Sequence, residues 1–344
     1  MDHRRMGSSG TAVSHLCLGT MTFGDEASEE VSQAMMDAFA AAGGNFLDTA
    51  DVYSQGLSEE IVGRWLKARP TEAAGMVVAT KGRFPMEPKG PNDHGLSRRH
   101  LHRALDASLR RLGVEAIDLY QMHAWDALTP IEETLRFLDD AVGSGKIHHY
   151  GFSNFLGWHV AKAVGVAQAR GFAPPATLQP QYNLLVRDIE HEVVPACLDG
   201  GLGLLPWSPL AGGWLAGKYR RDERPTGATR LGEDPERGME AYGPRAGEER
   251  TWAVIGAVEE AAQSLGSTPA AVSLAWLAGR PAVTSVILGA RTVEQLSENL
   301  AAADLRLPPE VADRLTEVSA PLQPDYPYGP KGVAQRERRI GGGR

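Results

Sequence analysis

One feature constrains the fold of this chain more than any other: a short apolar run followed by an amphipathic stretch, repeated along most of its length. The apolar runs are His15–Gly19, Asn45–Thr49, Met76–Lys81, Ile117–His123, Ile147–Asn154, Thr177–Gln181, Gly203–Ser208 and Thr284–Gly289. Between and after them lie Glu29–Ala42, Ser58–Ala68, Arg98–Leu112, Ile131–Val142, Gly157–Arg170, His191–Asp199 and the pair Thr251–Leu265 and Pro269–Ala278. In these stretches apolar residues recur at three- and four-residue spacing, as at Leu101, Leu105, Leu109 and Leu112, which puts them on one helical face. Ser97, and Ser58 with Ile61, read as helix starts. Ala42-Gly43-Gly44, Gly113, Gly143 and Gly171 read as helix ends.

Strands that alternate with helices form a parallel sheet. Eight such units with no break in composition predict a closed (β/α)₈ TIM barrel in the α/β class. An open doubly wound sheet would carry Gly-x-Gly-x-x-Gly after its first strand. Here the first run continues Leu18-Gly19-Thr20-Met21-Thr22-Phe23-Gly24, which is not that fingerprint. The 344 residues are enough for two domains at roughly 100–200 residues each, yet they also fit one barrel with long loops. We therefore expect a single domain over 1–344. A hairpin at 1–14, turning at Gly7-Ser8-Ser9-Gly10, would plug the barrel bottom. Inserts at 84–96 and 212–249 would form lids at the C-terminal face, and 322–344 would be a polar tail.

Composition narrows the function. The chain is 42% hydrophobic and 23% charged, which excludes a disordered chain. Its 39 glycines suit a fold with many tight turns. A net charge of −8 argues against nucleic acid as partner. No apolar run approaches the ~20 residues of a membrane helix, and Met1-Asp2-His3-Arg4-Arg5 leads into no signal-peptide core, so a cytoplasmic protein without a membrane partner is expected. Cys17 and Cys197 are too few for a disulfide scaffold or a cysteine-built zinc site.

In a barrel the chemistry lies at the C-terminal ends of the strands. The second run leads through Asp48 to Tyr53, the third ends at Lys81 and the fourth at His123. Singly, Asp48 reads as a helix cap, Tyr53 as a packing ring, and Lys81 and His123 as loop residues. Together, on consecutive strands, they form a set suited to protonating an oxygen. A phenol has an ordinary pKa of about 10 and is a weak acid near neutrality. Lys81 would favour its phenolate, Asp48 would hold Lys81 charged, and His123 would hydrogen-bond a carbonyl oxygen. A zinc site would need three or four His, Cys or carboxylate ligands, and Lys81 would repel the ion, so no metal is expected. His148 and His149 point to opposite faces of a strand and read as structural.

These residues resemble the aldo-keto reductases. Gly43-Gly44-Asn45-Phe46-Leu47-Asp48-Thr49-Ala50-Asp51-Val52-Tyr53 resembles the first signature of that family. Ala79-Thr80-Lys81 resembles its lysine strand, and Asp118-Leu119-Tyr120-Gln121-Met122-His123 its histidine strand. Gly151-Phe152-Ser153-Asn154-Phe155, Gln179-Pro180-Gln181-Tyr182-Asn183-Leu184 and Trp207-Ser208-Pro209-Leu210 follow in order, and the resemblance runs from about Arg5 to Tyr328.

The resemblance implies a barrel binding NADPH, with Tyr53 as general acid, Lys81 and Asp48 as its tuners and His123 as carbonyl orienter. It implies Ser153, Asn154 and Gln179 on the nicotinamide carboxamide, and Trp207 stacked on the nicotinamide face. Gly19, Thr20 and Met21 would line the pocket with Ser208, Pro209, Leu210, Gly212 and Gly289. Gln295, Glu298 and Asn299 match adenosine-holding positions, and Lys218 matches a pyrophosphate or ribose contact. Arg230 is a looser candidate for a phosphate. Thr292 with Gln295 reads as a capping box. A helix starting there is an anion site, and Arg291 beside it suits a 2′-phosphate, which favours NADPH over NADH.

Gly90-Pro91-Asn92-Asp93-His94-Gly95-Leu96-Ser97-Arg98 and Asp325-Tyr326-Pro327-Tyr328 resemble the aryl-alcohol-dehydrogenase-type branch, which also holds relatives of potassium-channel β-subunits and deoxysugar ketoreductases. The reading is an NADPH-dependent reductase of aldehydes or ketones, with Phe84, Trp125 and Trp214 as candidate substrate-pocket aromatics. The alternatives are a nucleotide-sugar ketoreductase or enoyl reductase of secondary metabolism, and an NADPH-binding regulatory subunit with little turnover. The expected partner is a small carbonyl compound, and a homo-oligomer is left open.

Overall fold

The computed structural model describes residues 1–86, 90–221, 223–227, 230–236, 238–322, 326–329 and 332, without the side chains of Arg230 and Met239. Its first two strands, β1 (His3–Arg5) and β2 (Ala12–Ser14), pair antiparallel as the expected hairpin. The eight apolar runs become β3 (Leu16–Gly19), β4 (Phe46–Asp48), β5 (Val77–Gly82), β6 (Ile117–Met122), β7 (Ile147–Ser153), β8 (Thr177–Gln179), β9 (Gly203–Leu204) and β10 (Val286–Leu288). All eight are parallel, in the order β10-β3-β4-β5-β6-β7-β8-β9. The sheet curls until its edges meet. Leu204 N–H donates to Ala282 O (2.7 Å), Thr284 N–H to Leu204 O (2.9 Å) and Ile287 N–H to Pro206 O (3.0 Å). This arrangement is consistent with a (β/α)₈ barrel.

Strand alternation sorts the core into two layers. Cys17, Phe46, Val77, Ala79, Leu119, Leu205 and Ile287 form one buried cluster, and the hairpin adds Met6 and Val13 to it. The alternate residues, among them Leu16, Leu18, Leu47, Val78, Tyr120, Phe152 and Leu178, pack in the larger cluster with the helices. The hairpin turn is pressed against strand ends. Gly7 has φ +58°, and a Cβ there would lie 2.1 Å from Ala176 O. Ser8 N–H donates to Gly201 O (2.9 Å).

The amphipathic stretches form helices at Glu29–Ala41, Leu57–Ala68, Arg98–Leu112, Ile131–Gly143, Gly157–Arg170, Val193–Gly200, Glu249–Ser264 and Pro269–Ala278. Ser97 Oγ accepts from His100 N as the expected cap. Ser58 does not cap its helix. That helix starts at Leu57 behind a left-handed Gly56, and the Ser58 hydroxyl turns inward to Thr20 and Thr49. The helices Pro70–Ala73 and Pro309–Val318 had no counterpart among the expected ones.

The two inserts follow β5 and β9. The first is pinned where it ends, since Leu96 N–H donates to Asp126 Oδ2 (2.8 Å) and Thr134 Oγ1 to Leu96 O (3.0 Å). The second is more than a charged loop. It contains short helices at Arg230–Glu233 and Tyr242–Ala246 and buries Trp214, Tyr219 and Leu231. Of the expected tail, 323–325, 330–331 and 333–344 lie outside the described residues, Asp325 among them.

Candidate active site

Register brings the four candidate residues toward one rim. Gly19 lies opposite Asp48, Asp48 opposite Ala79, and Lys81 opposite Gln121, two residues before His123. Beyond β4 the chain keeps bonding to β5 through Thr49 N–H to Ala79 O (2.9 Å) and Asp51 N–H to Lys81 O (3.1 Å). It then turns through Ser54 (φ 47°), Gln55 (φ 53°) and Gly56 (φ 93°). Two consecutive non-glycine residues in left-handed backbone are costly, and such strain gathers at functional loops. Here it holds Tyr53 over the strand ends.

The Lys81 side chain is fully buried. Its Nζ donates to Asp48 Oδ2 (2.6 Å), Thr49 O (2.8 Å) and Tyr53 OH (3.3 Å), so all three ammonium hydrogens have acceptors. Burial works against the ammonium, but Asp48 and Tyr53 outweigh it and hold its pKa above the ordinary value. Asp48 accepts on its other oxygen from Gln179 Nε2 (2.8 Å) and Gln121 Nε2 (3.0 Å). A carboxyl group so fully bonded is fixed in place.

Tyr53 departs from expectation. Burial raises its pKa, Lys81 lowers it by less, and Asp48 raises it again, so the phenol sits above its ordinary value. A protonated phenol is the form that can donate a proton. The His123 ring stands edge-on to Tyr53, with centroids 5.9 Å apart. Burial, then Lys81 and Arg83, push its pKa down to about 3. It is therefore a neutral imidazole, and its Nδ1 is buried without a partner.

The other candidates fall into three groups. The first adjoins His123. Asn154 Nδ2 donates to His123 O (3.1 Å) and Ser153 Oγ (3.0 Å), and Asn154 Oδ1 accepts from Trp207 Nε1 (3.0 Å). Ser153 Oγ donates to Gln179 O (2.9 Å). The Gln179 amide nitrogen is thus committed to Asp48, which sequence reasoning had given to a carboxamide. Ser208 (φ 53°) and Ala211 (φ 49°) strain the segment through Pro209, Leu210 and Gly212 that follows Trp207.

The second group surrounds the start of the helix Val293–Leu300. Thr292 Oγ1 accepts from Gln295 N (3.3 Å), while Gln295 Oε1 reaches one residue past the cap to accept from Arg291 N (3.0 Å). Asn299 Nδ2 donates to Gly289 O (3.3 Å), and Thr22 Oγ1 to Ala290 O (2.8 Å). Arg291 is ion-paired to Glu26 (2.7 Å) and Glu233 (2.9 Å). Its Nη2 is buried with no partner. A Cβ on Gly289 would meet nothing within 4 Å. A buried guanidinium donor without a partner fits the phosphate of a dinucleotide. A Cβ on Gly19 would lie 2.7 Å from Ile287 Cγ2, so glycine there lets β3 and β10 lie close. Thr20 is buried, with its hydroxyl on Asp48 O and Ser58 Oγ. Met21, Glu298 and Lys218 are exposed, and the Arg230 side chain lies outside what is described.

The third group is aromatic. Phe84 stands edge-on to His123 at 4.9 Å, with the Arg83 guanidinium over its ring. Trp125 stacks on His159 at 4.0 Å and meets Phe155 and Trp158. Trp214 does not line an open pocket. It is wholly buried, donates to Glu240 O (3.0 Å) and stacks on Tyr242, so it packs the second insert.

Sequence reasoning missed Gln121 and the two acidic partners of Arg291. Gln121 was recoverable, since it shares the strand face of Leu119 and His123. Glu26 and Glu233 carried no signal, being 265 and 58 residues from Arg291 in the chain.

The family model described as the aldo/keto reductase family matches residues 15–320. An uncharacterized oxidoreductase, YrpG, of Bacillus subtilis is 38% identical over 92% of this chain and 96% of its own. A probable voltage-gated potassium channel subunit beta of Oryza sativa is 35% identical over 92% and 96%. An aryl-alcohol dehydrogenase [NADP(+)] of Phanerodontia chrysosporium is 33% identical over 95% and 88%.

Proposed function

This chain belongs to the aldo/keto reductase family, and from that premise we propose that it is an NADPH-dependent reductase of aldehydes and ketones, with Tyr53 as its general acid. The observation that carries the reading is the contact of Lys81 Nζ with both Asp48 and Tyr53 OH inside the barrel mouth. Bound reduced nicotinamide supplies a hydride to the carbonyl carbon. The chain's own residues manage the oxygen, on which negative charge builds. His123, neutral and short of a partner at Nδ1, can orient that oxygen by hydrogen bonding. Tyr53 releases its proton to the oxygen. Lys81, held charged by Asp48, stabilises the phenolate left behind. Gln121 and Gln179 keep Asp48 from turning away.

The groups around Ser153, Asn154 and Trp207 would hold the nicotinamide end, and Arg291 with the helix after it the adenosine phosphate. An indole offers a large stacking face, and Trp207 has its own nitrogen tied to Asn154. Phe84 and Trp125 are the aromatic candidates for the substrate side. No helix among the described residues is long and apolar enough to cross a membrane, and we place the enzyme in the cytoplasm acting on small carbonyl compounds.

A second reading is a dinucleotide-binding regulatory subunit, favoured by the likeness to the Oryza sativa channel subunit. One assay separates them. The reductase reading expects NADPH oxidation on a panel of aldehydes and ketones, cut roughly 10²–10⁴-fold by Tyr53→Phe. Tight NADPH binding with no turnover on any carbonyl supports the regulatory reading instead.

A further inference from the structure

Arg291, the proposed holder of the 2′-phosphate, is already engaged on two sides. Its Nε meets Glu26 Oε2 at 2.7 Å, from the loop after β3. Its Nη1 meets both oxygens of Glu233, at 2.9 and 3.1 Å, from a short helix of the second insert. Only Nη2 is without a partner, and it is buried. The two carboxylates differ in freedom: the Glu233 side chain is 46% exposed and the Glu26 side chain 20%.

One guanidinium between two carboxylates carries a net negative charge. A phosphate monoester, itself close to doubly charged near neutrality, needs two adjacent guanidinium donors for a bidentate grip. On Arg291 those are Nη2, which has no partner, and Nη1 or Nε, which are occupied. The phosphate must therefore displace a carboxylate or share a donor with it at short range, and both cost free energy. A ribose 2′-hydroxyl is neutral and can donate to a carboxylate, so it displaces nothing.

We propose that Glu233 is a specificity-determining residue: it competes with the 2′-phosphate for Arg291 and so narrows the preference for NADPH over NADH, while Glu26 keeps the guanidinium plane in place. The proposal rests on the dinucleotide reading above. The more exposed and more distant carboxylate is the one that yields. Removing it frees Nη1 beside Nη2 and removes a negative charge from the phosphate position.

The test is isothermal titration calorimetry of the full chain with NADPH and with NADH, for the native protein, Glu233→Gln and Glu26→Gln. Glu233→Gln is expected to tighten NADPH about two- to fivefold, the scale of one exposed ion pair, and to leave NADH within about twofold. Glu26→Gln, which frees the guanidinium to swing, is expected to weaken NADPH. Equal tightening of both dinucleotides, or an unchanged or weakened NADPH affinity in Glu233→Gln, overturns the proposal and leaves the dinucleotide reading standing. A native protein that binds neither dinucleotide overturns both.

Discussion

Lys81 Nζ and Asp48 Oδ2 lie 2.6 Å apart, with both side chains closed off from water. A pair in that position adds little to stability against an apolar replacement, because desolvating two charges offsets their attraction. Breaking it is another matter. Lys81→Met would leave the buried Asp48 carboxyl without its cation and with only two amide donors, at a cost of about 3–5 kcal/mol. The double variant Asp48→Asn/Lys81→Met removes the stranded carboxyl and should recover part of that loss. Urea unfolding of the two variants checks this; a double variant no more stable than Lys81→Met would contradict it.

His123 should not titrate in the neutral range. Its value in the fold is about 3 against an ordinary 6.5. Below 6.5 the unfolded chain takes up a proton that the folded one refuses, so this residue lowers stability progressively as pH falls from 6.5 toward 3. His123→Gln should show a shallower acid limb in unfolding free energy against pH than the native chain. Imidazole resonances of His123 followed by NMR should show no midpoint between pH 5 and 8.

Asp51 behaves in the opposite sense. Both carboxyl oxygens are buried without partners, and burial, with Glu59 adding to it, pushes its pKa up to about 8. Between the ordinary 3.8 and about 8 the folded chain holds a proton that the unfolded chain has lost. Stability attributable to Asp51 therefore falls as pH rises through that window and levels off above it. Asp51→Asn removes the titration, so its advantage over the native chain should be larger at pH 8 than at pH 5, read from denaturant midpoints.

The hairpin should be intolerant of a methyl group. Gly7→Ala adds a Cβ 2.1 Å from Ala176 O at a left-handed φ of +58°. The hairpin must lift away from the strand ends, at roughly 1–3 kcal/mol. Thermal unfolding reads the loss. An unchanged midpoint would mean that the hairpin does not brace the barrel floor.

The eight strands and eight of the helices were legible because each is written in local pattern: alternation or short apolar runs for strands, three- and four-residue spacing for helices. The identities of Asp48, Tyr53, Lys81 and His123 were legible for a related reason, since each lies at or just beyond the end of a run. Ser58 misled because a serine hydroxyl near a helix start can accept from a backbone N–H or pair with other hydroxyls, and only the fold brings Thr20 and Thr49 within its reach. Trp214 misled because a tryptophan in a charged insert looks exposed until Tyr219, Tyr242 and Trp252 close round it.

By itself, then, the order of residues determined the architecture and the cast of the site, because secondary structure and strand ends follow from neighbours a few positions apart. Only the tertiary structure decided how that cast is tuned. Whether Tyr53 sits above or below its ordinary pKa depends on how burial, Lys81 and Asp48 balance, and that is a sum over distances in space. Whether Arg291 greets a phosphate with free donors or with two carboxylates depends on Glu26 and Glu233, which lie 265 and 58 residues before it in the chain. Coulomb energy and desolvation are set by separation in three dimensions, and sequence distance carries no record of either.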